Sequence, residues 1–143
     1  MQRNALHDEL HFLVYLYFQK SNGEICKEVT SRLGLLPGQP KILEFLGVED
    51  GARPVEIATA CDLDRSTVSG LLCRMEDMGL VEKRSCEHDA RSFYVFLTER
   101  GRDTLRKVKE ICLSVDERAM KGLSPEERTF ILDGMNKMLD NLS

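Results

Sequence analysis

The sequence predicts a mainly α-helical fold of the α+β class, with one small β-hairpin, and three observations support this. Apolar residues recur at three- and four-residue spacing through most of the chain. Two β-prone runs that alternate apolar and polar residues lie near its middle. The length of 143 residues suits one domain with a moderate core.

The first predicted helix runs from Asn4 to Lys20 and is expected to have neighbours on several sides. Its apolar residues, which cover most of the helical circumference, are Leu6, Leu10, Leu13, Val14, Leu16, Tyr17 and Phe18. A lone surface helix has a single apolar stripe, so this helix should pack against more than one partner. The segment is too short and too interrupted for a membrane span. We therefore expect a cytoplasmic protein without a signal peptide or a membrane partner.

The next helix that the sequence marks clearly begins at Pro54, because the fixed φ and missing N–H of proline are tolerated in a first turn. Ile57, Ala58 and Cys61 give it a small apolar face. Asp62 follows, and aspartate tolerates the left-handed backbone that a sharp turn between two helices often needs.

A second helix is predicted from Arg65 to Met78, capped by Asp64 or Ser66 and ended by Gly79. Its apolar stripe consists of Val68, Leu71, Leu72, Met75 and Met78. At 1.5 Å per residue this helix is ~20 Å long, enough to lie along the major groove of DNA.

The opposite face of this second helix is predicted to contact DNA. Its members are Ser66, Ser69, Gly70, Cys73 and Asp77, and Arg65 and Thr67 flank it at the N-terminal end. Short hydroxyls and an arginine at the leading end suit contacts to base edges and phosphates. The predicted groove contacts are Arg65, Ser66, Thr67 and Ser69, with Arg74 reaching a phosphate from the flank. The alternative is an ordinary amphipathic hairpin with a solvated polar face.

A β-hairpin is predicted next, from the runs Leu80 to Arg84 and Ser92 to Leu97, joined by a polar loop from Ser85 to Arg91. The apolar residues of the second run, Phe93, Val95 and Leu97, alternate onto one face, as in a half-buried strand. Two helices followed by such a hairpin and a long helix make a winged helix-turn-helix, a shape that suits DNA binding.

Basic residues near the predicted loop make the hairpin a second candidate for DNA contact. Lys83, Arg84 and Arg91 cluster there, and an arginine at a hairpin tip can enter the narrow minor groove. Asp89 is placed to hold the Arg91 guanidinium by a bidentate pair. Alternatively, Asp89 and Arg91 only tie the hairpin together.

Two further helices are predicted after the hairpin. One runs from Thr98 to about Lys121, with an apolar stripe of Leu105, Val108, Ile111, Cys112 and Val115. The last begins at Ser124-Pro125-Glu126-Glu127, which supplies an N-cap serine, a proline at N1 and a glutamate at N3. Its apolar side consists of Phe130, Ile131, Met135, Met138 and Leu139. The first and last helices are expected to interlock between two subunits; a monomeric helical bundle is the alternative.

From about Leu35 to the C-terminus the chain resembles the MarR (multiple antibiotic resistance regulator) family of bacterial transcription factors. The residues that carry the resemblance are Leu35 with Gln39, Ile57-Ala58 to Leu72, Met78-Gly79-Leu80-Val81, Lys83-Arg84, Asp89-x-Arg91, Leu97-Thr98-x-x-Gly101 and Gly122-Leu123-Ser124-x-Glu126-Glu127. Gly70 and Cys73 stand where the family usually has polar or basic residues, and Leu36 where it usually has a threonine cap.

The resemblance implies an obligate homodimer that binds a pseudo-palindromic operator in double-stranded DNA. Such proteins are often released from DNA by a small phenolic or lipophilic ligand or by thiol oxidation. It also implies one domain over residues 1–143, with a winged helix-turn-helix DNA-binding part at 38–97 and dimerisation helices at 1–34 and 98–143. An effector cavity would be lined by aromatic residues such as Phe12, Tyr15 and Phe45.

The net charge of −4 argues partly against DNA binding, for which a basic surface is expected. The distribution of charge weakens that objection. Residues 1–64 hold 6 basic and 10 acidic residues, whereas residues 65–91 hold 5 of each. The excess acid therefore lies ahead of the predicted DNA-contacting helix, and salt should dissociate the complex readily.

The five cysteines include no C-x-x-C pair, which argues against a structural zinc site. Cys61 and Cys112 are expected in the core, and Cys73 and Cys86 at the surface. Cys26, Cys73 and Cys86 stay open as candidates for a redox sensor. His7 and His11 form an i,i+4 pair on one helical face, but two ligands do not make a metal site. We predict no metal and no cofactor.

The sequence contains no glycine-rich phosphate loop, nucleophile elbow or H-E-x-x-H motif, so we predict that the protein is not an enzyme. The best interpretation is a homodimeric DNA-binding transcriptional regulator, a repressor released by a small-molecule effector. Two alternatives stay open. One is a thiol- or metal-responsive regulator of the same shape, and the other is a winged-helix protein-interaction module that does not bind DNA.

Overall fold

The computed structural model describes residues 2–86 and 88–143 and contains six α-helices and one two-stranded antiparallel sheet in that part of the chain. A short 3₁₀ turn, Ala5–Asp8, precedes the first α-helix. The helices and strands are, in order, α1 (Leu10–Leu33), α2 (Gln39–Val48), α3 (Pro54–Cys61), α4 (Arg65–Asp77), β1 (Val81–Cys86), β2 (Asp89–Leu97), α5 (Glu99–Ala119) and α6 (Pro125–Leu142). The predicted class, mainly α with a small β-hairpin, is confirmed.

The core lies where α2, α3, α4, α5 and the hairpin meet. Its fully buried side chains include Ile42, Leu43, Leu46, Ile57, Val68, Leu72, Met75, Val95 and Val108. The predicted apolar stripe of α4 supplies several of them, and Met78 packs against the edge of the core. The stripe of α5 also faces the core, with Leu105 and Cys112 partly buried.

The start of α5 is fastened to the end of the α4–β1 connection. The Thr98 hydroxyl donates a hydrogen bond to the Gly79 carbonyl at 2.6 Å, and the Thr98 backbone N–H donates to the Leu80 carbonyl at 3.0 Å. A Cβ at Gly101 would lie 2.0 Å from the Leu80 carbonyl oxygen, so only glycine permits this approach. These contacts hold the hairpin and α4 in a defined relation to the long helix.

The N-terminal segment differs from the predicted single helix over 4–20. Asn4 caps a 3₁₀ turn by accepting the Leu6 N–H at 3.0 Å, and Glu9 then has an extended backbone. The α-helix therefore starts only at Leu10. It continues well past Lys20 to Leu33, where Gly34 adopts the left-handed conformation (φ 67°) that ends it.

The hairpin is longer than predicted, because the predicted loop from Ser85 to Arg91 is partly strand. Ser85 pairs with Phe93 across the ladder, and an irregularity in register brings Cys86 opposite Asp89. One residue of the predicted loop, Glu87, lies outside the described residues. Polar residues of the predicted loop can belong to the strands because one face of an antiparallel hairpin can lie in solvent.

The two C-terminal helices start as predicted. Thr98 caps α5 by accepting the Gly101 N–H at 3.0 Å. Ser124 caps α6 by accepting the Glu127 N–H at 3.1 Å, and the Glu127 carboxylate accepts the Ser124 N–H in return. In the described part of the chain, no helix is both long and apolar enough to cross a membrane.

Candidate nucleic-acid interface

The position of α4 is set by three backbone features that the sequence marks. Asp62 has φ 52° and ends α3, so the chain turns sharply before α4 begins. Asp64 is the N-cap of α4, which resolves the predicted choice between Asp64 and Ser66. Gly79 follows the last turn with φ 75°. As a result, the polar face of α4 lies outside the core.

The predicted DNA-contacting face of α4 is exposed. Its solvent-facing members are Arg65, Ser66, Thr67, Ser69, Gly70, Cys73, Arg74 and Asp77. A Cβ built on Gly70 would meet no atom within 4 Å, so packing inside the subunit does not explain this glycine. The exposed surface of α4 can therefore be approached closely from outside.

Two of the predicted hydroxyl contacts are oriented by the cap of α4. The Thr67 hydroxyl donates to Asp64 Oδ2 at 2.6 Å, and the Ser66 hydroxyl donates to Asp64 Oδ1 at 2.7 Å. With the Thr67 N–H, which also donates to Oδ1, these bonds hold the pKa of the Asp64 carboxyl well below its usual range. Because both hydroxyl protons are engaged, the oxygens of Ser66 and Thr67 offer lone pairs to solvent.

The two basic residues of β1 lie on opposite faces of the hairpin, contrary to the expected single basic cluster. Lys83 faces α4: its Nζ lies 3.8 Å from a Glu76 carboxylate oxygen and 5.0 Å from the centre of the Phe93 ring. Arg84 lies on the other face, paired with Glu82 and with its guanidinium 4.0 Å from the Phe96 ring centre. Successive residues of a strand point to opposite faces, so the two cannot share one site.

Asp89 does not form the predicted bidentate pair with the Arg91 guanidinium. Its Oδ1 accepts the Arg91 backbone N–H at 2.9 Å, and its Oδ2 accepts the Ser92 hydroxyl at 3.1 Å. Asp89 therefore shapes the turn of the hairpin, as the simpler alternative predicted, because aspartate readily bonds backbone two residues ahead. The Arg91 side chain is left exposed.

The structure brings Arg65 and Arg91 together at one groove, and it adds an arginine that the sequence analysis missed. A groove of about 250 Å³ lies between the starts of α3 and α4 and strand β2, and Arg53, Arg65 and Arg91 line it together with Ser92. Arg53 directly precedes Pro54, the predicted first residue of a helix. A basic residue directly before a predicted helix start was the signal in the sequence that could have identified Arg53 as a candidate contact.

The chain is similar to known proteins in both sequence and fold. A family model described as "MarR family" matches residues 33–92. The HTH-type transcriptional regulator TtmR of Methylorubrum extorquens is 31% identical over 138 residues, which is 96% of this chain and 69% of that protein. A MarR-family transcriptional regulator from Silicibacter pomeroyi superimposes with a TM-score of 0.87 at 27% identity, covering 99% of this chain and 97% of that one.

The chain belongs to the MarR family. It is a transcriptional regulator by fold and relatedness, and the prediction that it is not an enzyme is confirmed on that ground. The transcriptional repressor CouR, bound to a 23-mer DNA duplex, shares the fold with a TM-score of 0.83 at 23% identity, covering 97% of this chain and 98% of that one.

The cysteines of this MarR-family protein are distributed mostly as predicted. Cys73 is exposed, and burial raises the pKa of the partly buried Cys61 and Cys112 thiols, which pack at the edge of the core. Cys86, expected at the surface, is only partly exposed. It lies beside Tyr94 on one face of the hairpin, and the nearby Cys86 thiol raises the pKa of the Tyr94 hydroxyl.

The predicted helical pairing of His7 and His11 is wrong. His7 belongs to the 3₁₀ turn and bonds Asn4 through Nδ1, whereas His11 belongs to α1 and lies 3.4 Å from a Glu9 carboxylate oxygen. The extended backbone at Glu9 separates the two elements, so no continuous helical face joins the imidazoles. Among residues 2–86 and 88–143, no group of three metal-ligating side chains is found.

The aromatic residues assigned to an effector cavity lie on two helices, α1 and α2. Phe12 and Tyr15 are neighbours on α1 with ring centres 6.3 Å apart, and Tyr15 is exposed. Phe45 lies on α2 and packs against the core.

Proposed function

We propose that the protein is a homodimeric, sequence-specific DNA-binding repressor. A small-molecule effector would release it from its operator. The observation that carries the proposal is the shared orientation of α4 and the hairpin: Arg65, at the start of the exposed polar face of α4, and Arg91, on β2, line one groove. In this arrangement α4 enters the major groove while the hairpin reaches the adjacent backbone and minor groove.

The proposed roles follow from what each side chain has available. Arg65 and Ser69 would contact base edges or phosphates, and Arg74 a phosphate beside α4. The oxygens of Ser66 and Thr67 would accept hydrogen bonds, because their protons are held by Asp64. Acceptors in the major groove match the amino groups of adenine and cytosine. Arg91 would contact the DNA backbone at the edge of the minor groove.

The basic residues of β1 and the hairpin aspartate have supporting roles in the proposal. Lys83 and Arg84 would each meet a phosphate on their own side of the hairpin, after exchanging their present partners Glu76 and Glu82. Exposed ion pairs of this kind are weak, so a DNA phosphate can replace the carboxylate. Asp89 would act indirectly, by shaping the turn that presents Arg91.

Dimerisation is supported by the uncovered apolar surface of the terminal helices. None of the residues of α6 is buried within the subunit, although the helix carries a broad apolar side. Its exposed apolar residues are Phe130 (80% exposed), Ile131, Leu132, Met135, Leu139 and Leu142. Helix α1 adds Leu10, Leu13, Val14, Tyr15, Tyr17 and Phe18. A second copy would cover both surfaces, which are too extensive to stay solvated.

In the proposed dimer, different parts of the chain have different roles. Residues 38–97 would form the DNA-binding part of one domain that spans 1–143, and 1–34 with 98–143 would form the dimerisation helices. An effector between these parts would be covered by Phe12, Tyr15 and Phe45 only when the second subunit completes the cavity. Because the partner is chromosomal DNA, the protein would work in the cytoplasm.

The experiment is selection of duplexes from a random DNA library, followed by fluorescence anisotropy with the selected and a scrambled duplex. We expect tight binding to the selected duplex, weaker binding to the scrambled one, and loss of both at high salt. Equal and negligible binding to both duplexes would contradict DNA recognition and favour a protein-interaction module. Phenolic compounds added to the preformed protein–DNA complex test the proposed effector. Dissociation of the complex would support release by a phenolic ligand, and an unchanged complex would contradict release by this class of compound.

A further inference from the structure

We propose, resting on the DNA binding proposed above, that Arg53, Arg65 and Arg91 form one seat for a backbone phosphate of DNA. In the free protein the Glu56 carboxylate pairs with the Arg53 guanidinium, and in the complex the phosphate replaces this carboxylate. Arg53 would thereby contact DNA directly and, with Arg65 and Arg91, hold the hairpin and α4 at the same point on the DNA backbone.

The seat is built by three separate segments of the chain. Arg53 comes from the turn before α3, Arg65 is the first residue of α4, and Arg91 belongs to β2. All three line the same groove of about 250 Å³. At ~30 Å³ per water molecule this is room for about eight waters, enough for one phosphate group and its ester oxygens.

The charge of this groove is opposite to that of the protein. Its charged lining residues are arginines alone, whereas the chain as a whole carries a net charge of −4. The larger groove between α1 and α5 differs, since Glu24, Glu28 and Glu110 accompany the basic residues there. A positive groove on a negative protein concentrates anions at that place, and guanidinium groups bind phosphates in bidentate geometry.

The identity of residue 53 is itself unusual for its position. It is the N-cap of α3, where serine, threonine, aspartate and asparagine are preferred because their oxygens accept orphan N–H groups. A guanidinium has no acceptor, and a positive charge is unfavourable at a helix N-terminus. The Arg53 side chain contributes to α3 mainly through its exposed pair with Glu56, and exposed pairs of this kind are weak, so the guanidinium is available for a role outside the helix.

Glu56 supplies the partner that keeps Arg53 ordered without DNA. Its Oε1 accepts from Arg53 Nη2 at 3.1 Å and from Nε at 3.3 Å, and its Oε2 accepts the Arg53 backbone N–H at 2.8 Å. The backbone bond, followed by the side-chain bonds, lowers the pKa of the Glu56 carboxyl, so it is ionised at neutral pH. Because the pair is exposed, a phosphate can take over the guanidinium while Glu56 keeps the backbone bond.

Arg53 has space to make this exchange. Besides the phosphate groove, it lines a second groove of about 440 Å³ that is shared with Cys86, His88 and Tyr94. The side chain therefore stands between two open volumes, and its turn toward Arg65 and Arg91 meets no packed core.

The decisive variant is Arg53→Ser, because serine is a better N-cap and should leave the stability of the fold equal or higher. The matched control is Arg106→Ser, which removes the same charge and breaks a similar i,i+3 pair, with Asp103 on α5. Binding of a selected duplex of about 30 base pairs, long enough for two half-sites, is measured against salt concentration.

We expect Arg53→Ser to weaken binding and to lower the slope of log K against log salt by up to about 0.9 per subunit, because Arg65 and Arg91 still neutralise part of the same phosphate's charge; the control should leave both unchanged. Arg53→Ser should lower the affinity for the selected and the scrambled duplex by the same factor, because a phosphate contact carries no sequence information. Equal slopes for both variants, with the wild type still binding tightly, would overturn the phosphate seat and leave the proposed function standing. No binding by the wild type would instead contradict the function itself.

A second variant tests the exchange between Glu56 and phosphate. Glu56→Gln keeps an oxygen for the Arg53 N–H but weakens its hold on the guanidinium. We expect this variant to bind duplex more tightly than the wild type, and to lose that gain when combined with Arg53→Ser. Asp103→Asn removes the same charge elsewhere and controls for general repulsion. An equal gain from Glu56→Gln with and without Arg53 would refute the exchange.

Discussion

The carboxylate of Asp64 accepts two hydrogen bonds from Thr67, one from its backbone N–H at 2.8 Å and one from its hydroxyl at 2.6 Å. One residue thus caps α4 and orients a side chain on the face proposed to read DNA. The stability of the helix and the polarity of its exposed surface are therefore coupled at this position.

Replacing Asp64 by alanine should destabilise the protein and release the hydroxyls of Ser66 and Thr67. We expect the melting temperature at neutral pH to fall by roughly 2–5 °C, as for loss of an N-cap. The bound carboxylate has a pKa below its ordinary 3.8, so its contribution is complete above about pH 4 and is lost as the pH falls further. Calorimetry across pH should show wild type and variant converging in acid; a constant difference down to pH 2 would contradict this.

Gly70→Ala should separate stability from DNA binding. Alanine in a helix interior is favoured over glycine by ~0.5–1 kcal/mol, and the added Cβ meets nothing within the subunit. The same methyl group would stand in the path of DNA, so operator affinity should fall roughly fivefold or more. Thermal melts and anisotropy titrations measure the two effects. Gly23→Ala, at an equally open site on α1, is the control and should raise stability alone; unchanged affinity in Gly70→Ala would remove α4 from close contact.

Arg91→Ala should weaken operator binding by ~1–3 kcal/mol and leave folding and dimerisation intact. Its side chain is exposed, and the Asp89 bond that shapes the turn uses only the Arg91 backbone, which alanine retains. Anisotropy at moderate salt measures the loss, and circular dichroism checks the fold. Arg32→Ala, which removes an exposed arginine paired with Glu28 on α1, is the control. An affinity equal to that of the control would exclude the hairpin from DNA binding.

Leu139→Asp should dissociate the proposed dimer. The side chain is 59% exposed in the subunit, and burying a leucine contributes about 1.5–3 kcal/mol, counted twice across a two-fold interface. Light scattering after gel filtration should shift from two subunits to one, with loss of operator binding. Asn141→Asp places the same charge on the opposite side of α6, since two residues turn the helix by about 200°, and should stay dimeric. A wild-type protein that is already a monomer would refute the dimer model.

Elements with a local chemical signal could be predicted from the sequence. Pro54 marks the start of α3, Gly79 the end of α4, and Ser124 the start of α6, because each effect depends on the residue and its immediate neighbours. The apolar stripe of α4 followed from periodicity alone. These features together carried the winged helix-turn-helix prediction.

The details of the candidate interface depended on packing between distant segments and were not predictable in the same way. The hairpin extends through Ser85 because of cross-strand bonds to residues near Phe93, which no short stretch of sequence reveals. Asp89 has two possible partners at Arg91, and only the backbone geometry selects the N–H over the guanidinium. Arg53 joins Arg65 and Arg91 only after α3 packs beside β2.

The most direct test of the account is a hydroxyl-radical footprint of the selected operator, combined with the stoichiometry of the complex. Two subunits presenting α4 and Arg91 to one face of the duplex should protect two half-sites about one helical turn, ~34 Å, apart. Light scattering should give two subunits per duplex. Protection confined to a single half-turn, or one subunit per duplex, would contradict the account.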